Sequence, residues 1–278
     1  MQNLLTPPFR NELLPDVEWQ DYLSLHGLNP SRIIPGLKSM KHLKAADERD
    51  EKPQRNLLVG SMTHGIILEL DQFDARFAIY TGEGTRRTKA YKEFAEENEG
   101  KDVATGNEFA QANATARAVM ADPLARELID ATQHEVTILC EDFEMQCKGR
   151  IDALGGGLLI DLKTTTSVED HAFGRVSAGL HYPGKMSCYR RFVQLVTGEL
   201  CEVKVIAVET KPPYDVVVFN IPDIVLDNAW EQIESKVMRR LRGCIERDEW
   251  PGVANGEERE LCVPNWAMPE DEALDWSE

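Results

Sequence analysis

The stretch that most restricts the fold runs from Glu135 to Thr164. Here the hydrophobic pattern shortens to a period of two. Glu135 to Cys140, Phe143 to Ala153 and Leu158 to Thr164 are short β-type segments with turn residues between them, above all the run Gly155 to Gly157. This predicts a three-stranded antiparallel meander. The pattern on either side is helical. Ser39 to Ala46 and Leu57 to Leu70 precede the meander, the second placing Leu58, Met62, Ile66 and Leu70 on one stripe. Thr105 to Met120 reads as a helix, and Asp122-Pro123 offers N-cap and N1 chemistry for another. Beyond the meander come a helix at His181 to Thr197, strands at Glu202 to Glu209 and Asp215 to Ile221, and a long helix from Pro222 to Arg247. The expectation is an α+β fold with a central mixed sheet flanked by helices and an N-terminal helical elaboration. Residues 1–35 are Pro-rich without a sustained period and read as an irregular arm. Residues 36–250 read as one domain, and 251–278 as a Pro-punctuated acidic tail.

Charge restricts partners. With 48 acidic and 31 basic side chains, the chain carries −17, so it repels nucleic acid unless its positive charge is concentrated locally. The segment TGEGTRRTKAYK, Thr81 to Lys92, is one such concentration and reads as a mobile basic loop feeding a helix, with Arg86 and Arg87 as candidate DNA-backbone contacts. A hydrophobic content of 42% excludes a disordered chain. No apolar run approaches the roughly 20 residues of a spanning helix, and the N-terminus lacks an apolar signal region, so a cytoplasmic protein without a membrane partner is expected. The six cysteines form no CxxC pair, which favours reduced thiols over a disulfide framework or zinc knuckle.

The chemistry concentrates in Gly149-Arg150-Ile151-Asp152 and Asp161-Leu162-Lys163. Side chains two apart on a strand share a face, so Asp161 and Lys163 point together, and a hairpin at the glycines brings Asp152 within reach. Two carboxylates and a lysine at one spot suit metal-assisted phosphodiester cleavage. Oxygen ligands hold Mg²⁺ while leaving room for phosphate and water, and the ammonium orients the water and offsets phosphoryl charge. D-x-K alone is a common pattern of solvated strand faces; joined to G-x-x-D on the preceding strand, it points to a site. Thr164 and Thr165 add hydroxyls that could donate to phosphate. Glu135 opens the first strand, where an edge carboxylate facing solvent is the safer reading.

This combination resembles the PD-(D/E)XK nuclease superfamily. Gly60-Ser61-Met62-Thr63-His64, on a predicted helix, resembles the additional G-x-x-x-H motif of its RecB-type branch. Within that branch the chain is similar to RecE-type (exonuclease VIII-like) phage and prophage exonucleases. The similarity runs through Ser39 to Leu43, VGSMTHGIILE, RRTKAYKEF, GRIDAL, IDLKTT, the helix carrying Tyr189, and the WPG and PNWA segments. The resemblance implies His64, Asp152, Asp161 and the backbone carbonyl of Leu162 as metal ligands, Lys163 as the catalytic lysine, and Mg²⁺ as cofactor with Mn²⁺ as a substitute. It further implies 5′ to 3′ digestion of linear double-stranded DNA ends, a ring-forming homo-oligomer, and a RecT-type annealing recombinase that receives the 3′ strand. A phage gene would place it in the bacterial host cytoplasm. Some relatives carry an iron–sulfur cluster on clustered C-terminal cysteines; here Cys244 and Cys262 are isolated, and none is expected. One departure stands out: Lys185 occupies the usual Gln position four residues before Tyr189, both being candidate DNA contacts. Lysine supplies charge but no acceptor. The alternative reading is a catalytically silent DNA-binding or assembly protein on the same fold. Under either, the cleft should be positive, lined by Lys163, Lys185 and the arginines of the basic loop.

Overall fold

The computed structural model describes residues 1–48, 57–264 and 267. Eight strands are present among them: β1 (Glu12–Leu14), β2 (Phe77–Tyr80), β3 (Asp102–Thr105), β4 (Gln133–Asp142), β5 (Met145–Gly155), β6 (Leu158–Thr165), β7 (Glu202–Glu209) and β8 (Val216–Ile221). The helices in chain order are α1 (Trp19–Ser24), α2 (Pro30–Ile33), α3 (Met40–Asp47), α4 (Leu58–Leu68), α5 (Phe73–Arg76), α6 (Lys89–Glu97), α7 (Gly106–Ala121), α8 (Pro123–Asp130), α9 (Asp170–Gly179), α10 (Tyr182–Thr197), α11 (Asp223–Ile233) and α12 (Arg239–Arg247). Six strands form the central sheet in the order β1-β4-β5-β6-β7-β8, while β2 and β3 make a separate parallel pair. The meander is antiparallel as expected; within the described central sheet only β6 and β7 run parallel, because α9 and α10 form the crossover between them.

Both meander turns put two residues in the left-handed region. At β5–β6 these are Gly156 and Gly157, with no side chain to resist it; at β4–β5 they are Phe143 and Glu144, at φ 52° and 56°. One sheet face packs Val136, Ile138, Cys147 and Leu159 against α10, α11 and α12. The other packs Ile160, Leu162, Ile206 and Val208 against α4, α7 and α8. Thr105 and Glu108 cap α7 with a reciprocal capping box, and the Asp122 side chain caps α8. No described helix is long and apolar enough to cross a membrane.

The first 35 residues differ from the irregular arm expected. Strand β1 pairs antiparallel with β4, Leu28 exchanges backbone hydrogen bonds with β5, and Leu4, Leu28, Ile33 and Ile34 enter the main core. Each anchor is one or two apolar residues between polar, proline and turn positions. Non-local pairing to an existing strand leaves no period to read. The long helix expected over Pro222 to Arg247 is interrupted by a π-helical turn at Glu234–Met238. The final carboxylates of the acidic tail and Asn265-Trp266 of the PNWA segment lie outside the described residues.

Candidate active site

The site forms where the sheet stops being regular. Pairing between β5 and β6 runs from Gly155↔Leu158 to Ala153↔Ile160 and ends there. At the next position the Asp152 carboxylate accepts the Leu162 N–H at 2.7 Å, so a side chain takes over from the backbone ladder and the strands diverge. On the other side of β5 the register passes from His134↔Ala153 to Val136↔Ile151, omitting Glu135 and Asp152. Glu135 has φ 50°, unusual for a non-glycine residue inside a strand. The alternation also slips: Ile151 and Leu154 join one core cluster although three positions apart, with Ala153 in the other. Both acids are thereby turned out of the ladder toward a common space.

Helix α4 supplies the third group. A Cβ on Gly60 would lie 2.8 Å from Thr164 Oγ1, so the glycine lets α4 approach β6 and deliver His64 one turn later. His64 Nδ1 is 3.5 Å from Asp152 Oδ2. His64, Glu135 and Asp152 each present a ligand atom, all within 4.8 Å of one another. Asp161 is buried, with Oδ2 2.6 Å from Lys163 Nζ in an ion pair whose alignment makes no directed hydrogen bond to that oxygen. The Lys163 ammonium donates to the Leu162 carbonyl at 3.2 Å. An imidazole, two adjacent carboxylates and a buried carboxylate oxygen lacking an aligned donor fit a hard divalent cation of the Mg²⁺ or Mn²⁺ type.

Electrostatics follow from burial. Desolvation, reinforced by the charges of Asp152 and Glu69, pushes the Glu135 carboxyl up to about 8 despite Arg150 beside it. Burial also raises Asp161 against the opposing charge of Lys163. Burial opposes charge on Lys163, but Asp161 and Asp152 overcome it and hold the ammonium above the ordinary lysine range. Lys185 is shifted down by burial and then by Lys163. Lys185 therefore lies close enough to Lys163 and Asp161 to feel both charges.

Other expected contacts are placed differently. The Tyr189 ring packs where a Cβ on Gly149 would be 2.8 Å away, which explains the glycine of G-x-x-D; burial raises the phenol strongly. Thr165 is buried and donates its hydroxyl to the Ser167 carbonyl, a turn contact rather than a phosphate donor, while Thr164 faces Gly60. Arg86 is not a free cation. One terminal nitrogen donates to both Glu108 carboxylate oxygens, at 2.6 and 2.7 Å, and the guanidinium lies over Tyr91, closing the α6–α7 junction. Arg87 is exposed, as a backbone contact requires.

Glu135 corrects the solvent-facing reading. The missed signal is register: a turn centred on Phe143-Glu144 sets position 135 opposite 152, but Phe-Glu is not a recognisable turn pair. Arg150 was also passed over. Its guanidinium binds Glu69, Glu135 (2.6 Å) and the Val17 carbonyl (2.6 Å), with Trp19 and Tyr22 against it. Tyr182 was missed as well; its ring lies 5.7 Å from Lys163 Nζ.

Residues 34–263 match the family described as a PDDEXK-like domain of unknown function, DUF3799. The chain belongs to this family. The match spans the splayed strands, α4 and α10, and starts just before α3, so β1 and α1 lie outside it. No curated protein matches the sequence. Among solved structures, a candidate exonuclease from Eubacterium rectale shares the family fold at a TM-score of 0.63 and 15% identity, over 89% of this chain and 96% of its own. A phage-related exonuclease from Haemophilus somnus 129PT aligns at 12% identity over 82% and 98% of the two chains, with a TM-score of 0.35.

Proposed function

We propose that the protein is a divalent-metal-dependent exodeoxyribonuclease that digests linear double-stranded DNA from its ends, 5′ to 3′. The observation that carries this reading is the convergence of His64, Glu135 and Asp152 beside the Asp161–Lys163 pair at the splay of β5 and β6. A bound Mg²⁺ or Mn²⁺ would be held by these acids and the imidazole, and would supply Lewis-acid polarisation of the phosphate and a more acidic water. Asp152 fixes the diverging strands through Leu162 N–H. Asp161 holds Lys163 charged, so its ammonium is ready to orient a water and to offset charge on the phosphoryl oxygens. Lys185 adds a second cation where the DNA backbone would approach. The reading extends by resemblance to a ring-forming homo-oligomer in a bacterial cytoplasm that passes a 3′ single strand to a RecT-type annealing recombinase.

The test is digestion of duplexes labelled at the 5′ or the 3′ end, with and without Mg²⁺. Metal-dependent early loss of the 5′ label is expected from the wild type, and no digestion from Asp161→Ala. Retained digestion by that variant would refute the assignment. End-binding without cleavage by the wild type would instead establish a silent binding protein, the outcome that Lys185 in place of glutamine favours.

A further inference from the structure

On a chain of charge −17, four arginines are grouped on one helix outside the cleft. Helix α12 buries Leu241, Cys244 and Ile245 and turns Arg239, Arg240, Arg242 and Arg247 outward. Asp248 ends it in the left-handed conformation, and the chain folds back through Trp250-Pro251-Gly252. The Lys41 N–H donates to the Pro251 carbonyl at 3.1 Å, and Lys44 Nζ sits 5.2 Å over the Trp250 ring, which fixes this return to α3. Between helix and return lies a cavity of about 750 Å³ lined by Arg239, Arg240, Gly243, Arg247, Trp250 and Asn255.

Three details fit the cavity to an anion. A Cβ on Gly243 would lie 3.0 Å from both terminal nitrogens of Arg247, so the glycine leaves room for that guanidinium to lie back along the helix. Arg240 is exposed and makes no ion pair with the described residues. Among the described residues Arg247 pairs with exposed Glu249, at 3.3 Å, a contact that solvent exchanges at little cost. Of the three guanidinium groups in the lining, Arg239 is held by Glu234, as the nearby Lys44 is by Glu48, which leaves Arg240 and the loosely held Arg247 to meet an anion. Guanidinium forks recognise phosphate oxygens, and an indole offers a face to a base. Carboxylate ligands would use the arginines but not the ring.

We propose that this cavity binds the phosphate of a nucleotide, either in the DNA backbone or as released mononucleotide, at a distinct site from the metal cluster. The inference rests on the nuclease reading for its source of nucleotide. In that setting it holds the polyanion during digestion without contributing to the cut.

The test uses metal-free full-length protein and a fluorescent duplex, titrated at several salt concentrations. Arg240→Glu combined with Arg247→Glu should weaken binding about tenfold and lower the salt slope by about two. Arg126→Glu, an equal change of charge per site on exposed α8, should leave both nearly unchanged. In a second arm, deoxynucleoside monophosphate and inorganic phosphate are titrated against the indole N–H resonance of Trp250, assigned with Trp250→Phe. A shift with the nucleotide, lost in the double arginine variant, assigns the released product as an occupant; weakened duplex binding assigns the backbone. Unchanged duplex binding together with an unmoved indole overturns the proposal. Equal loss of affinity in Arg126→Glu, or equal competition by polyglutamate, also overturns it. Arginine-dependent binding without any cleavage counts against the nuclease reading alone, whereas normal cleavage without arginine dependence counts against the cavity alone.

Discussion

Arg150 and Arg126 make the same kind of ion pair in opposite surroundings. The Arg150 side chain is 5% exposed and answers two carboxylates, Glu69 and Glu135, that are themselves mostly enclosed. Arg126 is 63% exposed and meets Asp130 one turn along α8. Water can replace either partner of the second pair. It cannot reach the first, so each buried polar group depends on the others remaining in place. The difference separates a scaffold from a surface: the Arg150 network fixes Glu135 beside His64 and Asp152, whereas Arg126 and Asp130 serve chiefly solubility.

Removing the central cation should break the buried region most severely. Arg150→Met leaves Glu69 and Glu135 facing each other, with an expected loss of about 3–5 kcal/mol in denaturant unfolding. Adding Glu69→Gln should recover part of it; no recovery would mean that packing against Trp19 and Tyr22, rather than charge, carries the effect. Gly149→Ala comes next. The new methyl meets the Tyr189 ring, so a loss of about 1–3 kcal/mol is expected without any change of charge.

Acidity provides a finer probe. The Glu135 carboxyl rises from 4.5 to about 8 on folding, so between those values the folded metal-free protein retains a proton that the unfolded chain has released. Stability should therefore fall as pH rises through that window, with this contribution levelling off above it. Glu135→Gln should flatten the trend in a melting-temperature series, and an unchanged slope would assign it to other acids. The smallest effect belongs to the surface pair. Arg126→Ala should shift stability by less than about 0.5 kcal/mol, and a larger loss would erase the contrast drawn between the two arginines.

The sequence revealed the site's strands better than their junction. Period-two runs and the glycine turn located β4, β5 and β6, and hence the strands that carry Asp152 and Asp161. His64 was legible through Gly60, a residue whose absent side chain proves to be the reason the helix fits. Glu135 was not, because its direction depends on a left-handed backbone inside a strand, which no propensity announces. Strand β1 was hidden for a related reason: three residues gain their conformation from a partner more than a hundred positions away. Arg86 failed in the opposite sense. A basic run was visible, but its pairing with Glu108 depends on how α6 and α7 meet.

The hydrogen bond from Leu162 to Asp152 has a spectroscopic consequence. This amide reports on a side chain rather than on a neighbouring strand, so its chemical shift and exchange rate register whether that carboxylate is ionised, protonated or shared with a cation. In a titration with Mg²⁺ or Mg²⁺-mimicking ions, one backbone resonance should serve as an internal occupancy gauge, readable without DNA and without turnover.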